Sequence, residues 1–283
     1  MNAAERLPYI SEVQKEHKPV KALKNKEEIF PLRGKVKLYK FMDWDAFKGT
    51  LSKGLQFCEP SCWPDKFESR FYEADYSSVT HATEPLPRQL YACCLALEGN
   101  CEAAWKIYGK GSVCVRLTIR RSAFLNLLAR HVVRGLMDAY EGKVIYLKKY
   151  ILSNLHIPNI QGATKIHKAL FNRATFSLDD FLSLLLLKRD DFEYEKEVRY
   201  FLVPHQKREQ NKYCLSIEKD DWITLVEKIT LVNPMSGKEV DSLTEMEECR
   251  KFIEENLPGI PVEIYDPNED EEIKKNGHIT IIP

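Results

Sequence analysis

Between residues 36 and 58 the hydrophobic period changes twice, which restricts the chain to folds that mix strands with short helices. Val36-Lys-Leu-Tyr-Lys-Phe41 is an alternating run and predicts a strand. Asp43 then stands where a helix cap belongs, with Trp44, Phe47 and Leu51 on one helical face and Gly54 as the stop. Leu55 to Cys58 predicts a second strand, and Tyr91 to Leu97 a buried one. Asn100 is the expected cap of a helix carrying Trp105 and Tyr108 and ended by Gly109 and Gly111. Strand Val113 to Ile119, a helix from Ser122 through Arg134 and a strand at Lys143 to Leu147 follow. Two helical patterns lie between Ile151 and Lys188, the second a leucine-rich one from Ser177, and then a strand from Glu195 to Val203. The tail predicts strands at Tyr213 to Ile217, Ile229 to Val232, Val262 to Tyr265 and His278 to Ile282. It also predicts a helix from Ser242 to Leu257 and polar loops at 205–212 and 266–277. Strands and helices do not alternate regularly, so the expected class is α+β rather than doubly wound α/β.

At 283 residues the chain suits one large domain with appendages, or a domain plus a subdomain. The reading is a polar arm over 1–34, a core over 35–204 and flanking strands and a helix over 205–283. Hydrophobic content of 44% with 30% charged residues excludes a wholly disordered chain. The longest apolar run, Phe181 to Leu187, is far below the roughly 20 residues of a membrane-spanning helix. Met1 to Arg6 has no apolar core, so no signal peptide is read there and a cytoplasmic location is expected.

The zero net charge is unevenly spread. Residues 101–175 hold thirteen Lys or Arg against three acids, and residues 176–283 hold fourteen against twenty-five. Such a division either makes a polyanion-binding face or neutralises itself across the fold. Eight cysteines form no Cys-x-x-Cys pair, and most sit among apolar neighbours as reduced core residues. Cys58 and Cys62 with Cys93, Cys94 and His81 allow zinc only on paper, because the usual ligand spacing is missing. The seven histidines give no His-x-x-x-His, and no Gly-x-Ser-x-Gly elbow or P-loop occurs.

The segment with most chemistry is Tyr194-Glu-Lys-Glu-Val-Arg-Tyr200. In a strand, Glu195, Glu197 and Arg199 would share one face, with carboxylates about 7 Å apart. They would repel and raise one pKa unless a cation such as Arg199 lay between them. This is a carboxylate pair for work on a sugar or a proton, or an exposed salt-bridged sheet face. Trp105 and Tyr108, three apart on one helix, are core or a stacking wall for a nicotinamide, an adenine or an unpaired base. A division is expected, with Trp105, beside Ala103 and Ala104, packed inside and Tyr108, beside the glycines, facing the site. Tyr39 and Lys40 on the first strand are surface residues or contacts to a phosphate or ribose oxygen.

Together these segments resemble a bacterial family of domains often found near defence genes. The counterparts, in family order, are Leu38 to Phe41, Phe57-Cys-Glu-Pro60, Trp63-Pro-Asp-Lys-Phe-Glu68, Trp105 to Tyr108, Gly111-Ser-Val-Cys114 and Tyr194 to Arg199. The turn departs from the family's Asn-Asp-Pro-Phe-Glu, with Pro64 for the Asn and Lys66 for the Pro. The family's layout is similar to the ADP-ribosyltransferase fold. That resemblance implies NAD as substrate, a catalytic Glu197, and Glu195 as the base for the attacking acceptor. It places Tyr39 and Lys40 at the first-strand NAD contact, Trp105 or Tyr108 at the nicotinamide-stacking position, and Arg199 at the pyrophosphate or the glutamates. It requires no metal.

The function expected on this basis is transfer of ADP-ribose to a nucleic acid or protein by a toxin or antiviral effector, with a possible antitoxin or regulatory partner and no membrane. A non-catalytic module binding nucleic acid or protein is the rival, and NAD hydrolysis without an acceptor is a third reading.

Overall fold

In a computed structural model of the chain, the residues described are 21–22, 36–73, 89–110, 112–133, 137–148, 178–232 and 239–265. The arm at 1–34 (apart from 21–22), His81, Gly111, the helical pattern after Ile151, the loop at 266–277 and the strand at His278 to Ile282 lie outside them. The architecture is mixed α+β with mainly antiparallel strand pairs and several helices. Among the described residues no helix is long and apolar enough to cross a membrane.

The chain divides into two compact units, each assembled from separate segments. One takes Met1–Arg33, Gln56–Cys94 and Asn126–Leu215, and the other Gly34–Leu55, Leu95–Leu125 and Ser216–Pro283. Twelve strands are described: β1 Lys21–Ala22, β2 Lys37–Asp43, β3 Leu55–Cys58, β4 Tyr91–Ala96, β5 Cys114–Arg120, β6 Met137–Lys143, β7 Ile145–Leu147, β8 Leu187–Arg189, β9 Glu197–Pro204, β10 Lys212–Leu215, β11 Val226–Val232 and β12 Val262–Ile264.

In the first unit the strand order is β1-β6-β9-β4, with β3 beside β4 and β10 beside β3. β6 and β9 pair antiparallel over their length, from Met137 opposite Pro204 to Lys143 opposite Val198. β6 is absent from the sequence expectation, which started a strand only at Lys143. Its Met-Asp-Ala-Tyr-Glu-Gly-Lys composition is poor in β-branched residues and contains a strand-weakening glycine. Gly142 has a packing reason: a Cβ there would collide with the Leu186 side chain. Its bare backbone lets the turn at Leu185 and Leu186 come down onto the β6–β9 ladder.

The run Phe181–Leu187, expected as one helix, divides between the helix Leu178–Leu184 and strand β8, which pairs parallel with β7. Phe181, Leu182 and Leu184 to Leu187 are all buried, so apolar residues line every side of the run and no period is legible. They form one core with Phe71, Leu90, Tyr140, Phe201 and Val203.

In the second unit β2, β5, β11 and β12 follow one another in that order, and only the β11–β12 pair is parallel. The helix Trp44–Lys53 starts and stops as its sequence dictates. Asp43 accepts from the Ala46 N–H at 2.7 Å, and Gly54 ends the helix at φ 93°. The helix Glu102–Gly109 differs in detail: Cys101 stands at its N-cap, and Lys110 takes the left-handed position at φ 49°. Asn100 instead accepts from Arg116. The helix Glu239–Asn256 matches the expected tail helix, while the helix Lys219–Leu225, anchored by buried Trp222 and Leu225, was not foreseen.

Candidate functional site: a buried ion cluster in the first unit

β9 begins at Glu197, two residues later than expected. Asp190–Glu195 forms a 3-10 turn, and Lys196 sits at φ 42°, a left-handed conformation rare for a side chain other than glycine. Strand alternation therefore places Glu197 and Arg199 on one face but does not place Glu195. Glu195 nonetheless reaches the same partner from the end of the turn. Lys188 Nζ, on β8, donates to Glu195 Oε2 at 2.7 Å and to Glu197 Oε2 at 3.0 Å.

Arg199 is the other cation, as the sequence suggested. Its Nε donates to Glu197 Oε1 at 2.8 Å and Nη2 to Glu197 Oε2 at 3.1 Å, a bidentate fork. Nη1 donates to the Leu185 carbonyl at 2.5 Å, the atom that the Gly142 approach brings within reach. Nη2 also donates to Glu68 Oε2. Glu68 stands in the first turn of the helix Lys66–Glu73, 3.5 Å from Lys188 Nζ through its other oxygen. Asp65 fixes that turn: its Oδ1 accepts from the Phe67 N–H at 2.8 Å, and its Oδ2 accepts from Arg189 Nη2, also at 2.8 Å. The Trp63 ring, partly exposed, lies over the Arg199 guanidinium at 4.3 Å. The Tyr146 hydroxyl accepts from the Glu197 N–H at 2.8 Å.

Three carboxylates, Glu68, Glu195 and Glu197, thus face two cations, Lys188 and Arg199. Glu197 is 3% exposed and Arg199 1%, so this is no exposed salt-bridged sheet face. The open edge is at Glu195, whose side chain keeps 11% of its surface. Burial pushes the Glu197 carboxyl up, but Arg199 and Lys188 outweigh it and hold the group at about 2. Burial raises the Glu195 carboxyl, and Lys188 offsets only part of that. Burial also opposes the Lys188 charge, yet the three carboxylates outweigh it and raise its pKa. One carboxylate is therefore fixed as an anion while its neighbour is the better proton acceptor. Opposed environments of this kind divide acid–base roles between two like groups.

The same directions set a pH dependence. Glu197 is depressed on folding, so its stabilisation is present above the unfolded pKa near 4.5 and is lost as pH falls toward about 2. The amount is on the order of 3 kcal/mol. Glu195 is raised, so its contribution has the opposite sign: present below 4.5 and lost as pH rises through its folded pKa. Chemical unfolding followed across acidic pH is expected to show both limbs. Glu197→Gln should flatten the lower limb and Glu195→Gln the upper, whereas parallel profiles for all three proteins would contradict the assignment.

The other sequence-predicted residues belong to the second unit. Trp105 is 2% exposed and packs edge-on against Phe41 at 4.9 Å, with the Arg116 guanidinium 5.1 Å from its ring. It is a core residue, with no face left for a nicotinamide. Tyr108 is half-buried and stacks at 6.3 Å on Phe41. Tyr39 and Lys40 are successive residues of β2 and so lie on opposite faces of it.

The basic side chains described after residue 101 are largely engaged. Lys106 pairs with Glu102, Lys110 with Asp43, and Arg120 donates to the carbonyls of Ile223, Thr224 and Val226. Cys58, Cys62, Cys93 and Cys94 form no disulfide among the described residues, and Cys94 hydrogen-bonds Glu197. Among the described residues no cluster of His, Cys, Asp and Glu is placed to hold a metal.

Lys188, Tyr146 and Trp63 were missed as site residues, and Glu68 was seen only as part of a turn. The signal for Lys188 was present: a cation that directly follows the four leucines 184–187 is buried with them, and a buried cation is paired.

Fold and site together define an α+β protein whose first unit is built around a five-membered buried ion cluster. Compared with family models, with curated proteins and with solved structures, the chain matches none.

Proposed function

We propose that the chain is an NAD-dependent mono-ADP-ribosyltransferase with an ADP-ribosyltransferase-like core, modifying a macromolecule as a toxin or antiviral effector. The observation that carries this reading is the meeting of Glu195 and Glu197 on Lys188 Nζ with their pKa values moved in opposite directions. Cleavage of the nicotinamide–ribose bond leaves the electron pair on nicotinamide and positive charge on the ribose, as in glycoside hydrolysis. Glu197, ionised and held from two sides, supplies the fixed negative charge that such a transition state needs. The acceptor's nucleophile then bonds to the ribose carbon and its proton passes to Glu195, the more basic and more open carboxylate. Trp63, partly exposed beside the cluster, takes the stacking role that its burial denies to Trp105.

A second reading has its own observation. Both Glu197 oxygens are already engaged by cations, which suits a purely structural cluster in a non-catalytic binding module. Incubation of the purified protein with ADP-ribose-labelled NAD and cell lysate separates the two. Label on protein or on nucleic acid is the expected result and identifies the acceptor. Free ADP-ribose alone would mean hydrolysis, and no turnover would leave the binding module.

A further inference from the structure

The second unit holds a cavity of about 690 Å³, within the size range of small-molecule sites. Its lining includes Lys37, Tyr39, Asn100, Arg116, Thr118 and Lys228. Lys37 and Lys228 at the rim are matched by exposed carboxylates, Glu227 and Glu263, each at 2.6 Å. Glu98 and Glu227 also face the cavity.

Arg116 differs from the rim cations: it is 6% exposed and makes no ion pair among the described residues. Its Nη1 donates to the Gly99 carbonyl at 2.6 Å and to Asn100 Oδ1 at 3.0 Å, and its Nη2 to Thr230 Oγ1 at 2.9 Å. The rings of Tyr39 and Trp105 lie 5.5 and 5.1 Å from the guanidinium carbon. All its direct hydrogen-bond partners are neutral; the nearest carboxylate, Glu263, acts on it through Thr230 Oγ1 and offsets only part of the burial that lowers its pKa.

Two buried polar atoms on the lining residues, Arg116 Nε and Thr118 Oγ1, also have no hydrogen-bond partner among the described residues. Thr118 is 3% exposed. An orphaned buried polar atom is costly to keep, because it has given up water without gaining a partner. Two of them on residues that line one cavity, beside a guanidinium with no direct ion pair among the described residues, are groups a bound anion could satisfy.

We propose that this cavity binds a small-molecule oxyanion, a phosphate or carboxylate group held by Arg116 and Thr118 with Lys37 and Lys228 at the rim. The site lies wholly within the second unit and does not rest on the transferase reading. An end-on fork from the two terminal nitrogens of Arg116 is not offered, because both N–H groups of Nη1 are taken; the open donor is Nε. Recognition is therefore by charge and by the two orphan groups. An anion is selected over a neutral ligand, and binding weakens as salt rises.

The test is calorimetric titration of the full chain with inorganic phosphate, adenosine monophosphate and succinate in separate arms. Binding in at least one arm is expected. A preference among the three tells a free phosphate, a nucleotide and a carboxylate apart. Arg116→Met should weaken binding roughly tenfold or more, the loss of one charge-assisted contact.

Because Arg116 also holds the Gly99–Asn100 segment, Thr118→Val serves as the second variant. It removes only an unbonded hydroxyl, so it should leave the unliganded protein at least as stable as wild type while lowering affinity. Lys106→Ala, which removes an equal charge that is not part of the lining and is paired with Glu102, should bind as wild type does. No binding in any arm would overturn the proposal, and so would affinities unchanged in both Arg116→Met and Thr118→Val.

Discussion

Arg199→Met is expected to cost about 3–5 kcal/mol, the usual penalty for breaking a buried ion pair from one side. The guanidinium is 1% exposed and binds Glu197, Glu68 and the Leu185 carbonyl. Methionine matches the aliphatic stem and much of the volume, so little of the loss comes from a cavity. The loss comes from charge: three buried carboxylates would then share Lys188 alone, and a buried carbonyl would lose its donor. Arg199→Lys restores the charge without the fork, and should recover part of the stability but not all of it. Urea unfolding read by tryptophan fluorescence checks this, since Trp63 lies 4.3 Å over the guanidinium and reports on the cluster directly. A loss below about 1 kcal/mol would place Arg199 with exposed ion pairs and contradict the description of the cluster.

Much of the local structure was legible because its causes are local. Asp43 and Gly54 bracket a helix by capping chemistry that needs no distant partner, and Leu55–Cys58 follows at once as a strand. β11, β12 and the tail helix could be read from period in the same way. What could not be read depended on neighbours remote in sequence. β6 is a strand because β9 pairs with it, and its glycine is explained only by Leu186 lying over it. The chain leaves the helix after Leu184, turns at Leu185 and Leu186 and enters β8 at Leu187, where β7 offers a partner, while the leucine pattern is the same in either state.

The candidate site shows the same division. Glu197 and Arg199 were legible as strand neighbours two apart. Glu195 does sit beside Glu197, but not by strand alternation, which the left-handed Lys196 ends, and the cation it meets is Lys188 rather than Arg199. Glu68 comes to Arg199 from 131 positions away, and no spacing rule brings it there. Trp105 and Tyr108 share a side of the helix, and their depth is read from their neighbours: the alanines at 103 and 104 point to a packed Trp105, and the glycines after Tyr108 to a more open ring. Trp105 proves to be core, packed against Phe41 and Tyr265.

Glu197→Gln carries the largest expected effect on activity. The side chain keeps its shape and loses the charge that both Arg199 and Lys188 hold in place. A preorganised charge of this kind in a water-excluded site is worth roughly 100- to 1,000-fold in rate. Stability falls as well, because two buried cations lose a partner, so the comparison is made at low temperature on protein shown by circular dichroism to be folded. Glu195→Gln leaves the fixed charge in place, so it is expected to slow transfer to the acceptor more than release of nicotinamide.

The most direct measurement is the rate of nicotinamide release from NAD by wild type and by Glu197→Gln, with both proteins verified as folded. The account predicts turnover by wild type and a loss of at least about 100-fold in the variant. Equal rates in the two proteins, or no turnover by folded wild type, would contradict it.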